Sequence, residues 1–148
     1  MPGLRAGFLV ADRPVVDRFR QYMQPWCVNT LAQEALLFLG NNRRSALAFI
    51  DRTRAYLARE GTLFTERLRK GPLTIHPSLT SYFLIGLPTG ITAEAVCGIL
   101  GDGQFLIRNC ANFHGLNESY IRIALKDEAA NESVARHLLT AVAQRLER

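Results

Sequence analysis

Lysine is almost absent from this chain, and features that would assign it to several classes of protein are missing. Only Lys70 and Lys126 occur among 18 basic residues, so arginine supplies nearly all of the positive charge. No apolar run approaches the roughly 20 residues that a membrane-spanning helix needs. The first residues, 1–11, lack the long apolar middle of a secretion signal. We therefore expect a cytoplasmic protein with no membrane partner.

Cysteine and histidine are too few and too scattered to indicate a metal site. Cys27, Cys97 and Cys110 form no CxxC pair, and the three histidines are equally dispersed. An odd cysteine count without ligand spacing argues against zinc and against structural disulfides. We therefore expect no metal, and we interpret the cysteines as small buried hydrophobic residues.

The formal net charge of +5 raises the question of nucleic-acid binding. Clustered cations bind nucleic acids by neutralising phosphates and releasing counterions. Here the arginines are scattered among Asp and Glu in amphipathic segments, and runs such as Arg43-Arg44 are short. This distribution is typical of a solvated surface, so we expect no nucleic-acid partner. P-loop, HExxH and GxSxG motifs are also missing.

Helical periodicity dominates the first part of the chain. After a Pro-Gly turn, a short apolar strand is predicted over 7–11, and Asp12 is placed to cap a helix that ends before Pro25. A further helical stretch follows it. An amphipathic helix is predicted over 43–60, with Gly61 at its C-terminal cap.

Strands become common in the second part. They are predicted over 76–87, 105–109 and 120–126, with a short helix capped by Thr92 and a final helix opening at Asp127. The predicted fold class is α+β. Helices pack on a small, mostly antiparallel sheet, and a strand and a long helical segment precede it.

Three arginines occupy positions suited to binding anions. Arg5 follows a Pro-Gly turn, whereas Arg108 and Arg122 each lie inside a short predicted strand. Around Arg122, alternation puts isoleucine and leucine side chains on one face and the arginine on the other. A guanidinium is a fork of donors that matches carboxylate and phosphate. Alternatively, each strand arginine covers a sheet face and pairs with a surface acid.

Two of these arginines lie in segments that resemble a known family. The segment PGLRAG, residues 2–7, resembles the one just downstream of the Schiff-base lysine in class I/II aminotransferases, which use pyridoxal phosphate. The segment YIRI, residues 120–123, resembles the strand whose arginine binds the substrate α-carboxylate. The resemblance implies that Arg5 binds the phosphate of pyridoxal phosphate and that Arg122 binds the substrate.

A narrower resemblance is to the O-phosphothreonine decarboxylases of cobalamin biosynthesis. The segments PWCVNTLAQEA, residues 25–35, and FLIRNCANFHGLNESYIRIALK, residues 105–126, are similar to theirs. This implies decarboxylation of L-threonine O-3-phosphate, with Arg108 also contacting the phosphorylated substrate. A histidinol-phosphate aminotransferase is the alternative, and the NFHGL loop favours the decarboxylase.

The resemblance covers essentially the whole chain, as the C-terminal part of such an enzyme. It implies that residues 1–40 end the large cofactor-binding domain and form its linking helix, and that residues 41–148 form the small C-terminal domain. It also implies a homodimer. The family places its lysine a few residues before the Pro-Gly turn, a position that neither Lys70 nor Lys126 fits. No catalytic residue is therefore assigned, and we expect the isolated chain to be inactive.

An alternative interpretation places the chain in another class of protein. The chain would then be a non-catalytic module that self-associates or binds a protein partner. Apolar positions such as Phe8 and Val10 would then be exposed and would need a cover.

Overall fold

The computed structural model describes residues 2–147, with the side chain of Pro2 left out. It divides into two compact units, Met1–Asp51 and Arg52–Arg148, and the division falls within one long helix. The expected boundary between residues 40 and 41 stays a prediction.

The first unit is helical. Its elements are a 3-10 turn at Pro2–Leu4, α1 at Arg13–Arg20, α2 at Thr30–Asn41 and the beginning of α3, which spans Arg43–Leu68. Asp12 occupies the N-cap position of α1, as predicted, although its side chain makes no capping bond. Asn29 caps α2 because its Oδ1 accepts from the backbone N–H of Ala32 at 2.9 Å. Its amide also donates to the Leu4 carbonyl oxygen at 3.0 Å, which joins the 3-10 turn to α2.

The strand predicted over 7–11 is wrong. Residues 6–12 are irregular, and the first unit contains no strand among its described residues. A strand needs a neighbour to satisfy its backbone N–H and C=O groups. Apolar composition alone therefore misled the prediction.

The second unit places three helices on a small sheet. After α3, its elements are β1 at Thr74–Ile75, β2 at Tyr82–Gly86, α4 at Ala93–Asp102, β3 at Arg108–Asn109, β4 at Tyr120–Ala124 and α5 at Glu128–Leu146. The strand order is β1-β2-β4-β3, and every neighbouring pair is antiparallel. This confirms the predicted α+β class.

One face of this sheet joins the helices in a single core. Its buried strand residues are Phe83, Ile85, Ile121 and Ile123. They belong to one cluster with buried residues of α3, α4 and α5, such as Phe64, Val96 and Leu138. The core therefore lies on one side of the sheet. The other side carries the partly exposed Leu84 and Arg122, and we call it the open face.

Gly61 does not end a helix, contrary to the prediction. It lies inside α3 and is buried. A Cβ at this position would stand 3.1 Å from Cζ of Phe83. The glycine therefore lets α3 approach the sheet closely, a packing role that the local sequence did not reveal.

The predicted strand 76–87 is shorter than expected. Between β1 and β2 the chain forms a loop, in which the hydroxyls of Ser78 and Thr80 donate to the Tyr82 carbonyl oxygen at 2.7 and 3.2 Å. Such side-chain bonds compete with a ladder. The predicted caps are confirmed, since Thr92 and Asp127 accept from backbone N–H groups at 3.3 and 2.9 Å.

Candidate functional site

The register of the sheet brings two of the predicted arginines together. Arg122 of β4 stands directly opposite Arg108 of β3 on one side and Leu84 of β2 on the other. Residues that face each other across an antiparallel ladder project from the same side. Because Ile121 and Ile123 are buried, the two arginines lie on the open face, as alternation predicted for Arg122.

Two aromatic rings lie beside the guanidinium groups. The Cζ atom of Arg122 lies 4.8 Å from the ring centroid of Tyr82 and 5.7 Å from that of Phe113. Arg108 contacts the same Phe113 ring, with its Cζ atom 5.2 Å from the centroid. Contacts within about 6 Å are attractive. The Phe113 ring therefore contacts both arginines. We call Arg108 and Arg122 the arginine pair.

Within residues 2–147, the arginine pair has no acidic partner. Arg108 donates from Nη2 to the Asn112 side-chain oxygen at 2.9 Å. The ion pairs found within residues 2–147 are Arg13–Asp17, Arg20–Asp17 and Arg59–Glu60. The alternative in which each strand arginine pairs with a surface acid is therefore not realised in this part of the chain.

Like charges directly opposite each other across a ladder repel. The positive charges of Arg122 and Arg108 also act on the Cys110 thiol. Burial raises the pKa of this thiol, and the two arginines partly offset that rise. An anion between the guanidiniums would relieve this repulsion, and carboxylate and phosphate match the fork of donors. The charge of the arginine pair is therefore one that an anion would complement.

Arg5 lies in the first unit, immediately after the 3-10 turn. Its φ angle is 57°, the left-handed region that non-glycine residues seldom adopt. Its side chain is exposed and forms no ion pair with any other described residue. An exposed guanidinium without an acid beside it fits the phosphate group that the resemblance implied for it.

Sequence reasoning did not assign Tyr82, Asn112 or Phe113 to the site. Two of them belong to the NFHGL loop, which entered the interpretation as a motif without residue roles. Tyr82 could be found only through the pairing of β2 with β4, which no local pattern specifies. The expectation that all three cysteines are buried is partly wrong, because Cys27 is exposed and Cys97 is half-buried.

Comparison with known proteins identifies the family. The model of the family described as aminotransferase class I and II matches residues 1–138. The chain belongs to this family. Its members include the decarboxylases and aminotransferases that the sequence segments resembled, so the resemblance is confirmed.

Two curated relatives illustrate the range of the family. The threonine-phosphate decarboxylase of Salmonella typhimurium is 33% identical over 97% of this chain and 39% of its own length. The histidinol-phosphate aminotransferase of Rhodospirillum centenum is 31% identical over 90% of this chain and 35% of its own length. The chain thus spans well under half of the curated relatives it matches.

A solved structure gives the same result for the fold. The L-threonine-O-3-phosphate decarboxylase from Porphyromonas gingivalis superposes with a TM-score of 0.71 and 32% identity, covering 100% of this chain and 43% of that one. The fold is that of the pyridoxal-phosphate-dependent aminotransferases. Within residues 2–147, no helix is long and apolar enough to cross a membrane, and no cluster of side chains could hold a metal ion.

Proposed function

We propose that this chain forms part of a pyridoxal-phosphate-dependent enzyme that acts on a phosphorylated amino acid. The activity we favour is decarboxylation of L-threonine O-3-phosphate in cobalamin biosynthesis. Two relatives at 33% and 32% identity carry that activity in their names. The structural observation that supports the substrate class is the arginine pair, Arg108 and Arg122, which share an open face without an acid partner.

The substrate's two anionic groups suit the two guanidiniums. Arg122 would bind the α-carboxylate, and Arg108, in the adjacent strand, would bind the phosphate. Each charge-assisted hydrogen bond would contribute about 1.5–3 kcal/mol. The two arginines would bind and orient the substrate and would not act as acids or bases, because an arginine does not exchange protons near neutral pH. Phe113 and Tyr82 would hold the guanidiniums at fixed positions for that purpose.

The cofactor would be held in this chain by Arg5, which fits a phosphate group by charge, exposure and freedom from an acid partner. Pyridoxal phosphate, when bound, supplies the electron sink for breaking a bond at the α-carbon. We assign neither lysine as its attachment point. The side chains of Lys70 and Lys126 are both exposed. We accordingly expect no lysine-dependent turnover from these 148 residues alone.

A histidinol-phosphate aminotransferase is the second candidate, supported by the relative that is 31% identical. The two substrates differ in charge, since histidinol phosphate carries a phosphate but no carboxylate. An arginine pair that serves two anionic groups should therefore bind O-phospho-L-threonine more tightly than histidinol phosphate.

Calorimetric titration of the chain with these two ligands tests the proposal. We expect Arg122→Gln and Arg108→Gln each to weaken O-phospho-L-threonine binding by about ten-fold or more. The matched control is Arg52→Gln, an exposed arginine of α3 outside the site, which should change little. Equal affinity for both ligands, with Arg122→Gln silent, would favour the aminotransferase. Loss of binding in the control as well would contradict any specific site.

A homodimer is a separate proposal. Phe8, Trp26 and Phe38 of the first unit are exposed, and apolar surface of this kind marks sites of association. Sedimentation velocity should show a dimer whose dissociation constant rises when Phe38 is replaced by Asp. A monomer at all concentrations would contradict the dimer and would also remove the self-associating module from consideration.

A further inference from the structure

A hydrogen bond joins Arg108 to the loop that follows β3. The Nη2 atom of Arg108 donates to Oδ1 of Asn112 at 2.9 Å. The next residue of the loop, Phe113, contacts the same guanidinium, with its ring centroid 5.2 Å from Cζ. Two consecutive residues of the loop therefore restrict one guanidinium, the first by a hydrogen bond and the second by a cation–π contact.

The loop that carries Asn112 is anchored to the sheet by its backbone. The Cys110 N–H donates to the Tyr120 carbonyl oxygen of β4 at 3.0 Å, and the Phe113 N–H donates to the Cys110 carbonyl oxygen at 2.9 Å. The side chain of Asn112 takes no part in these bonds, and within residues 2–147 its one hydrogen bond is that from Arg108. Backbone bonds therefore hold the loop, and we expect the loop to keep its fold when the Asn112 side chain is changed.

Asn112 is neutral, and its neutrality determines what it does to the arginine pair. A guanidinium carries several N–H donors, so one bond to Asn112 leaves most of those on Arg108 available. A carboxylate in the same place would accept the same bond but would oppose the positive charge. The amide thus orients Arg108 while the arginine pair keeps both of its charges, since no acid pairs with either arginine in the described part of the chain.

We propose that Asn112 is a positioning residue that makes the arginine pair selective for a phosphorylated amino acid over the same amino acid without phosphate. This inference rests on the proposed function, in which Arg122 binds the α-carboxylate and Arg108 binds the phosphate. A phosphate monoester carries a charge of about −1.5 to −2 at neutral pH, so its binding depends on an uncompensated charge at Arg108. A side chain that is already oriented also loses less freedom when the ligand binds.

The affinities of the full chain for two ligands test the proposal. O-phospho-L-threonine is titrated by calorimetry and L-threonine by NMR, because L-threonine offers the carboxylate without the phosphate. Asn112→Asp should weaken O-phospho-L-threonine binding by about ten-fold or more, since the new carboxylate pairs with Arg108 and repels the phosphate. Asn112→Ala should weaken it by about three-fold, because only the orientation of Arg108 is lost. The affinity for L-threonine should change by less than about two-fold in both variants, since solvent screens the more distant charge.

Asn117→Asp is the matched control. It adds the same charge to the same loop, but the Asn117 side chain accepts from the Ser119 N–H at 2.9 Å and not from an arginine. The ratio of the two affinities should stay unchanged in this variant. A loss equal to that of Asn112→Asp would show general charge repulsion and would overturn the role of Asn112. So would equal losses for both ligands in Asn112→Ala, which would mean that the side chain only supports the loop.

Nitrogen NMR of the arginine side chains separates this inference from the proposed function. Without ligand, the Arg108 guanidinium should rotate more slowly in the unsubstituted chain than in Asn112→Ala. Equal mobility in the two proteins would overturn the positioning by Asn112, whether or not the ligands bind. If the unsubstituted chain binds O-phospho-L-threonine and the Asn112 variants bind it equally well, the proposed function stands and this inference fails. If the unsubstituted chain binds neither ligand, the proposed function and the selectivity both fail, and the mobility of Arg108 alone decides the positioning.

Discussion

The two units of this chain contain similar kinds of apolar residue but differ in how far they bury them. In the described part of the first unit, Ala32 is the one buried residue. Phe8 and Trp26 are 95% and 94% exposed. The second unit buries a core that spans its sheet and helices. Helices bury their apolar stripes only against another layer, and the second unit has a sheet to provide it. Four pairs of identical residues, one from each unit, test this contrast.

The phenylalanine pair should show the largest difference. Phe64 is fully buried, and its ring lies 5.7 Å from that of Phe83, whereas Phe38 is 65% exposed. Phe64→Ala should lower the free energy of unfolding by about 3–5 kcal/mol through the cavity it leaves. Phe38→Ala should lower it by less than about 0.5 kcal/mol. Urea unfolding followed by circular dichroism measures both. The protein concentration is kept below the dissociation constant of the proposed dimer, so a large loss for Phe38→Ala would mean that Phe38 is covered within the monomer.

The asparagine pair should differ less. Asn131 is buried, accepts from the Lys126 N–H at 2.7 Å and donates to Oε2 of Glu60 at 3.1 Å. Asn131→Ala leaves the carboxyl group of Glu60 without this donor in the interior and should cost about 3 kcal/mol. Asn29→Ala removes one helix cap and should cost about 1 kcal/mol. The same unfolding measurement applies, and equal losses would show that the buried network contributes little.

The glycine pair should change stability in opposite directions. Gly40 lies in α2, and a Cβ added there would meet no neighbouring side chain within 4 Å, so Gly40→Ala should stabilise α2 by about 0.5–1 kcal/mol. Gly61→Ala must push against Phe83 and should destabilise the chain by about 1 kcal/mol despite the better helix propensity. Thermal unfolding of the two variants gives the signs. A stabilised Gly61→Ala would mean that the ring of Phe83 yields easily.

The cysteine pair differs in burial, and Cys110 should make stability depend on pH. Cys27 is exposed and Cys110 buried, so a thiol reagent should modify Cys27 first, and Cys27→Ser should remove the fast phase. Burial raises the pKa of Cys110, although Arg122 and Arg108 lower it in part. Its contribution to stability is therefore fully present below the unfolded thiol pKa of about 8.5 and is lost as pH rises through the folded pKa. Cys110→Ser should flatten this alkaline loss of stability, and an unchanged pH profile would contradict it.

Several features of the fold followed from local signals. Thr92 and Asp127 cap their helices as predicted, because a cap depends on residues within one helical turn. Alternation around Arg122 predicted which side of the sheet it occupies, because side chains of a strand alternate whatever their partners. The segments around Arg5 and Arg122 identified the family that the comparison then confirmed.

Other features depended on partners far along the chain. The apolar residues 7–11 had no neighbouring strand, and Gly61 turned out to contact Phe83 of a distant strand. The sequence by itself determined the helix caps, the fold class and the membership of the family. Only the tertiary structure decided that Arg108 faces Arg122 and that Phe113 and Tyr82 lie beside them. Strand register and side-chain packing bring together residues that are far apart in the sequence, and local sequence patterns do not specify these contacts. The candidate site is formed by such contacts.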